Sequence, residues 1–276
     1  MKQLRLLTML ILLFPLNVIA QKSQGVDIAQ YKCFYNFEQI SDTAEMKYYE
    51  EELLVLQIGD KFTKSYSYKD HIADSLSALP NRQELMAQLM KEQGVAGVRS
   101  IHRGFFPSSV YRNYKEEKMT ITDKIFVDNF YFEDELSPQD WKILEEVTTI
   151  LDYPCQKAIC SFRGRNYEAW FAPDIPVSEG PWKFYGLPGL IMKINDTQHH
   201  YKFEIIGFQQ TNEAIEMKIL RNYIKTNRKD FIRGLVREKG GGSNTTQTIT
   251  TENVGLNNLG SEKSDLLWDY IERDYK

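Results

Sequence analysis

The residues that could perform acid–base, nucleophilic or metal chemistry are scattered along this 276-residue sequence rather than grouped in a motif. Four histidines are present: His71, His102, His199 and His200. The last two begin a predicted strand, where adjacent side chains point to opposite faces, so this pair cannot chelate one metal ion. HExxH motifs, paired CxxC motifs and calcium loops do not occur in the sequence. We therefore predict no metal site and no cofactor.

Three cysteines, Cys33, Cys155 and Cys160, are the other candidate nucleophiles. Cys155 and Cys160 lie five residues apart in a predicted strand, roughly 16 Å along the chain. A disulfide requires Cα atoms within about 7 Å, so any disulfide should include Cys33 and not join these two. Three buried free thiols are the alternative. A nucleophilic cysteine would need a histidine from a distant part of the sequence.

Other catalytic patterns are absent from the sequence. It contains neither a Gly-x-Ser-x-Gly turn nor a glycine-rich phosphate loop. Acidic runs such as Glu50 to Glu52 and Glu145-Glu146 favour solvated faces, since a glycosidase needs two carboxylates about 5–10 Å apart across a cleft. An enzyme would therefore have to assemble its site from distant residues. The histidines are interpreted as surface or turn residues, and the alternative is a metal site built from His199 or His200 with Asp196 or Cys155.

The N-terminus has the pattern of a secretory signal peptide. Lys2 and Arg5 precede an apolar run over residues 6–16, and Ala20 offers a small residue for cleavage before Gln21. Removal of the two positive charges would change the formal net charge from −4 to −6. An acidic chain with dispersed lysines argues against nucleic-acid binding. No later run is apolar enough to span a bilayer, so we do not expect an integral membrane protein.

The elements that must position any site are mostly strands. Alternating and aromatic-rich segments predict strands over residues 26–40, 48–58, 61–68, 109–116, 119–132, 155–162, 167–172, 189–194 and 200–208. Helices are predicted over residues 81–93 and 223–238. Short turns between strands favour antiparallel pairing, so we expect an α+β fold. Its sheet should be open and curved, or a half-barrel, with one or two covering helices.

The chain has one predicted domain boundary besides the signal peptide. Residues 239–253 are rich in glycine, serine, threonine and asparagine, which is typical of a flexible loop. We therefore divide the chain into a signal peptide (residues 1–20), one β-rich domain (21–238) and a loop with a C-terminal tail (239–276). The aromatic residues Trp268, Tyr270 and Tyr275 could dock that tail on the domain.

The segment over residues 173–189 has unusually dense backbone restraints. Pro173, Pro176, Gly180-Pro181 and Gly186-Leu187-Pro188-Gly189 predict a stiff, non-helical crossover between two strands. Aromatic residues and one acid lie along or beside it: Trp170, Asp174, Trp182, Phe184 and Tyr185. They could plug one end of a β core, or they could form a preorganised ledge that binds a ligand or partner.

The hexapeptide at the end of this segment resembles a known signature. Gly186, Leu187, Pro188, Gly189, Leu190 and Ile191 match, letter for letter, the motif for which the GLPGLI family of the Bacteroidetes is named. Further runs similar to that family include residues 153–155, 162–165, 169–171, 174–176 and 180–184. The resemblance implies a secreted or periplasmic protein of a Gram-negative bacterium. The family is known mainly as one of unknown function, so the resemblance implies no catalytic residue.

Two functions follow as expectations. The first is a non-enzymatic envelope protein whose curved sheet binds a hydrophobic ligand or an outer-membrane protein partner, by analogy with periplasmic half-barrels. The alternative is a hydrolase or metal-dependent enzyme. An apolar cavity would favour the first, and a cleft where a histidine, an acid and Cys155 or Asp174 meet would favour the second.

Overall fold

The computed structural model describes residues 24–42, 47–99, 106, 108–219, 222–240 and 270–274. The predicted signal peptide, His102 and most of the predicted tail lie outside these residues. The described strands are β1 (Gln24–Asp42), β2 (Lys47–Gly59), β3 (Phe62–Ser67), β4 (Ser109–Asn113), β5 (Lys118–Ile125), β6 (Asp128–Glu135), β7 (Lys142–Ile150), β8 (Tyr153–Phe162), β9 (Arg165–Ala172), β10 (Leu190–Asp196), β11 (Tyr201–Gln210), β12 (Ala214–Met217) and β13 (Ile224–Lys225). The helices are α1 (Tyr68–Ser77), α2 (Arg82–Arg99) and α3 (Arg228–Gly240).

The strands form one sheet in the order β13-β6-β5-β4-β3-β2-β1-β11-β10-β9-β8-β7, with β12 paired to β1. All pairings are antiparallel except that of β13 with β6. β1 is the central strand, because it pairs with β2, β11 and β12. Its alternation explains its position, since Cys33, Tyr35 and Phe37 are fully buried on one face.

The sheet curls strongly. Among the described residues, its two edge strands are not joined by backbone hydrogen bonds, so the sheet stays open. Register shifts interrupt the pairing of β1 with β2 and with β11, and such bulges bend and twist a sheet. The curl brings opposite ends of the sheet together, so that Asp134 of β6 lies 2.6 Å from Arg163, which follows β8. The α+β class and the open curved sheet predicted from the sequence are therefore confirmed.

Some predicted boundaries were wrong. Residues 119–132 are two strands and not one, because Phe126, with φ of 57°, and Val127 form an exposed turn between β5 and β6. Helix α1 was not predicted. It begins after Ser67, whose hydroxyl accepts a hydrogen bond from the Asp70 amide as an N-cap. None of the described helices combines the length and apolarity that a membrane crossing requires.

The crossover segment (residues 173–189) packs across the concave face of the curled sheet. Ile175, Trp182, Phe184 and Leu187 are all buried in the main hydrophobic cluster. Phe184 makes edge-on ring contacts with Tyr167, Phe162, Trp182 and Phe203, at centroid distances of 4.7 to 6.0 Å. The concave face that was expected to hold a ligand is therefore occupied by the chain itself.

The three cysteines are free and buried. This arrangement is the free-thiol alternative and not a disulfide. Burial raises the pKa of all three thiols, to about 12 for Cys160, where Asp140 adds to the effect. Thiols with raised pKa values stay protonated at neutral pH and are poor nucleophiles.

Candidate functional site

A buried arginine fixes the path of the crossover segment. Arg112 of β4 donates hydrogen bonds to the carbonyl oxygens of Trp182 (2.7 Å) and Gly180 (2.8 Å), and to Thr63 Oγ1 (3.0 Å). Its Nη2 also lies 2.8 Å from the Glu179 carboxylate, and the two side chains are 1% and 8% exposed. The crossover is thus tied to β4 by a charged pair and by hydrogen bonds to its own backbone.

The hexapeptide signature is a packing device in this structure. Gly186 has φ of 96°, and a Cβ atom there would lie 2.6 Å from Cβ of Pro138. A Cβ on Gly189 would overlap the carbonyl oxygen of Ala172. Leu187 and Leu190 are buried, and Leu190 begins β10. The two glycines therefore allow close backbone approaches, while the leucines fill the core.

The five residues predicted to contact a ligand are not brought together. Trp182, Phe184 and Tyr185 are buried under the concave face. Trp170 is half-buried in β9, between the buried residues 169 and 171, so it points to the opposite face. Asp174 is exposed in a turn after β9. The burial of Trp182, Phe184 and Tyr185 matches the core-plug interpretation, whereas Trp170 and Asp174 lie outside the plug. Ligand contact by these five residues stays a prediction.

An open cavity of about 380 Å³, which we call the slot pocket, lies where the two ends of the sheet approach each other. Its walls come from β5, β6, the segment between β6 and β7, the end of β8 and the crossover. The lining residues are Met119, Asp134, Glu135, Ser137, Pro138, Gln139, Asp140, Ser161, Phe162, Arg163 and Lys183.

Charged side chains dominate the inner part of the slot pocket. Asp134 lies 2.6 Å from Arg163 and 3.7 Å from Lys183, which is only 2% exposed. Glu135 and Asp140 are exposed at its mouth. The lining contains no histidine or cysteine, and the described residues contain no cluster of three or more potential metal ligands. The arrangement suits the binding of a polar group.

Behind the slot pocket lies the tail segment, which we define as Tyr270–Asp274. Arg165 donates hydrogen bonds to the carbonyl oxygens of Tyr270 (2.6 and 3.1 Å) and Ile271 (3.2 Å). The Arg273 amide donates to the Arg163 carbonyl at 2.8 Å. The tail is therefore held partly through its backbone. Of the aromatic residues expected to dock it, Tyr270 contacts α3, while Trp268 and Tyr275 lie outside the described residues.

The tail segment places a carboxylate between two cations. Glu272 is 5% exposed, forms an ion pair with Lys183, and lies 2.7 Å from Arg228. Burial alone would raise the pKa of Glu272, but the two cations outweigh it and hold the pKa below its ordinary value. Asp274 lies 2.7 Å from Arg228 and 3.5 Å from Arg163, and its pKa is also lowered, against the effect of burial.

This lowered pKa predicts a pH-dependent contribution of Glu272 to stability. A carboxylate whose pKa is lower in the folded state stabilises the protein fully above its unfolded pKa, about 4.3. The contribution is lost as the pH falls through the folded value. At pH 7 we expect Glu272→Gln to lower the free energy of unfolding by about 1–3 kcal/mol. Urea titrations of both proteins should show this gap closing below about pH 4, and a gap independent of pH would contradict the prediction.

Sequence reasoning missed the residues of this site. Arg112, Lys183 and Glu272 were not singled out, because each has partners more than forty positions away in the chain. Residues 162–165 were identified by their similarity to the GLPGLI family and not as a cationic turn. Two arginines around a turn glycine were the available signal, since a loop of this kind can present two cations at one sheet end.

Comparisons with known proteins agree with the fold and leave the activity open. Residues 163–193 match a family model described as "Protein of unknown function (Porph_ging)". No curated protein sequence matches the chain significantly. A crystal structure of PNGF-II in space group P21 is similar with a TM-score of 0.50 and 14% identity, over 76% of this chain and 34% of that chain. A second, in space group C2, has a TM-score of 0.47 and 15% identity over 76% and 33%.

The chain spans about a third of the length of the PNGF-II chains. At 14% identity, the similarity to the PNGF-II structure in space group P21 concerns the fold alone. The family match begins at the hairpin between β8 and β9 and ends inside β10, so it includes the whole crossover segment, Arg163, Arg165 and Lys183. By these comparisons the chain is similar to a family of unknown function over one short stretch, and to PNGF-II in fold.

Proposed function

We propose that this chain is a secreted or periplasmic envelope protein of the GLPGLI family that binds an outer-membrane protein partner at the slot pocket. The observation that carries the proposal is the open pocket with buried charged side chains, Lys183 above all. A pocket of this kind offers charged hydrogen-bond partners to a polar group of another protein. The N-terminal pattern and the hexapeptide support export to the envelope.

A protein partner is better supported than a hydrophobic ligand. The concave face is filled by Trp182, Phe184 and Leu187, which are each at most 2% exposed. A ligand there would have to displace the crossover segment and with it the Arg112–Glu179 ion pair. The slot pocket is open and mostly lined by polar residues. Binding at this pocket therefore leaves the crossover segment and the Arg112–Glu179 ion pair in place.

Site-specific photo-crosslinking in the native host tests the proposal. Ser137 lines the slot pocket and is exposed, so a photoreactive amino acid at this position should form a discrete adduct in the outer-membrane fraction. Ile206 of β11, which is 56% exposed and does not line the pocket, provides the matched control. We expect an adduct from position 137 and none from position 206.

Two results would contradict this proposal. One is the absence of any adduct from position 137 when the variant is exported and melts like the unmodified protein. The other is the same set of adducts from both positions, which would indicate contact by proximity and not by the pocket. Recovery of the protein only from the cytoplasm would contradict the envelope location.

A further inference from the structure

The tail segment is bound in the way that proteins bind a peptide ligand. Arg165 donates hydrogen bonds to the carbonyl oxygens of Tyr270 and Ile271. The Arg163 carbonyl accepts a hydrogen bond from the Arg273 amide of the tail. The side chain of Ile271 packs against the hydrophobic cluster. Gly164 leaves room for this approach, because a Cβ there would lie 2.9 Å from Cβ of Arg273. The domain therefore contains a preformed groove for an extended peptide. The groove contacts the peptide backbone, buries one apolar side chain and approaches the peptide closely at Gly164.

Four cations of the groove surround the acidic side chains of the tail. The cations that contact the tail are Arg163, Arg165, Lys183 and Arg228. Among the described residues outside the tail, Asp134 pairs with Arg163 and Lys183, and Asp196 pairs with Arg165. The tail adds the Glu272 and Asp274 carboxylates to this cluster, while the side chain of its own Arg273 donates a hydrogen bond to Gln198 Oε1. Nε of Arg163 is also buried without a hydrogen-bond partner among the described residues.

We propose that this groove is a recognition site for an acidic peptide segment of the partner protein, and that the tail segment is its built-in occupant. The expected ligand has an aliphatic residue followed by acidic residues one and three positions later, as in Ile271, Glu272 and Asp274. The assignment rests on the proposed function, because Lys183 lines the slot pocket and also binds Glu272. A partner that enters the pocket meets a cation already paired with the tail and must displace that carboxylate.

The tail then acts as a competitor of the partner. An external peptide can bind only those molecules whose groove is empty. Its apparent affinity is therefore the intrinsic affinity multiplied by the fraction of molecules with an empty groove. Removal of the carboxylates at positions 272 and 274 weakens the internal occupant and leaves the four cations in place. Binding of an acidic peptide to the full-length protein should therefore become tighter when its own tail is weakened.

The test uses the full mature chain and a fluorescent peptide of the sequence of residues 268–276. We expect the variant Glu272→Gln/Asp274→Asn to bind this peptide at least about tenfold more tightly than the wild type does. Binding should weaken with added salt, since the groove is cationic. A peptide that carries the same two substitutions should bind at least about tenfold more weakly than the acidic peptide.

The control variant Glu145→Gln/Glu146→Gln removes two exposed carboxylates from β7, away from the groove, and should bind like the wild type. Absence of peptide binding to a Glu272→Gln/Asp274→Asn protein that is folded at neutral pH would overturn the inference. If that protein does not fold, Asp274→Asn alone is measured, since Asp274 is the less buried of the two carboxylates. No gain in binding by a folded Asp274→Asn protein would also overturn it.

Two further outcomes separate this inference from its alternatives. A wild-type dimer that disappears in Glu272→Gln/Asp274→Asn, measured by light scattering, would assign the groove to the tail of a second copy and overturn the partner assignment. Adducts from position 137 without peptide binding would support the proposed function and contradict the assignment of the groove as a peptide-recognition site. Peptide binding without such adducts would support the groove as a peptide-recognition site and contradict the proposed function.

Discussion

Arg112→Met should destabilise the protein by about 3–5 kcal/mol, because it leaves the Glu179 carboxylate buried without its cation. Arg112 is 1% exposed at its side chain, and it also satisfies the carbonyl oxygens of Trp182 and Gly180. Methionine can fill much of the same space but donates no hydrogen bond. Urea unfolding of the purified variant at pH 7 measures the loss.

A surface ion pair provides the matched control for this substitution. Lys118 lies 3.8 Å from Glu133, and the two side chains are 50% and 43% exposed. Lys118→Met should therefore change the free energy of unfolding by less than about 1 kcal/mol. Equal losses in both variants would contradict the anchoring role of Arg112.

A second substitution separates the ion pair from the backbone contacts. Arg112→Met/Glu179→Met removes both charges, and the replacement of a buried pair by apolar residues is often close to neutral. We expect the double variant to recover only part of the loss, since the carbonyl oxygens of Trp182 and Gly180 remain without their donor. Full recovery would show that these carbonyls find other partners.

The sheet could be predicted because its evidence is local. In β1, β9 and β10, alternating or continuous apolar residues within ten positions define the buried face. The turn at Phe126 and Val127 was missed because both residues are apolar, and the nearest turn-favouring residues, Asp128 and Asn129, already belong to β6. These three strands therefore followed the sequence closely. Strands β7, β12 and β13 were not predicted, and the break between β5 and β6 depends on a φ of 57° at Phe126.

The site could not be predicted because its contacts are long-range. Arg112 meets Glu179 at a separation of 67 positions, and Lys183 meets Glu272 at a separation of 89. Nothing in the neighbourhood of either cation distinguishes it from a solvated charge. The curl of the sheet and the return of the tail create the slot pocket and the groove, and both depend on the pairing of distant strands.

The crossover was identified from the sequence, but its role had two interpretations. Prolines and glycines predicted a stiff path with aromatic residues, and either a plug or a ledge would show that pattern. The buried side chains of Trp182, Phe184 and Leu187 fit the plug. What sequence could not supply was the direction of each side chain, because the segment has no regular period.

Trp182→Ala should cause a loss of about 3–5 kcal/mol, comparable to that of Arg112→Met. Trp182 is 2% exposed, and its ring lies at centroid distances of 5.3 Å from Phe184 and 6.1 Å from Phe162. Its amide donates a hydrogen bond to Ser65 Oγ at 3.0 Å. Alanine keeps that backbone contact but leaves a cavity between the crossover and the sheet.

The free energy of unfolding of Trp182→Ala, compared with that of Trp170→Ala, is the most direct test of the claim that the crossover fills the core. Trp170 is half-buried on the opposite face, 5.8 Å from Lys157 Nζ at its ring centroid, so its loss should cost less than about 2 kcal/mol. We predict the larger loss for Trp182→Ala. Wild-type stability of Trp182→Ala would contradict the claim, and the crossover would then be an exposed ledge for a ligand.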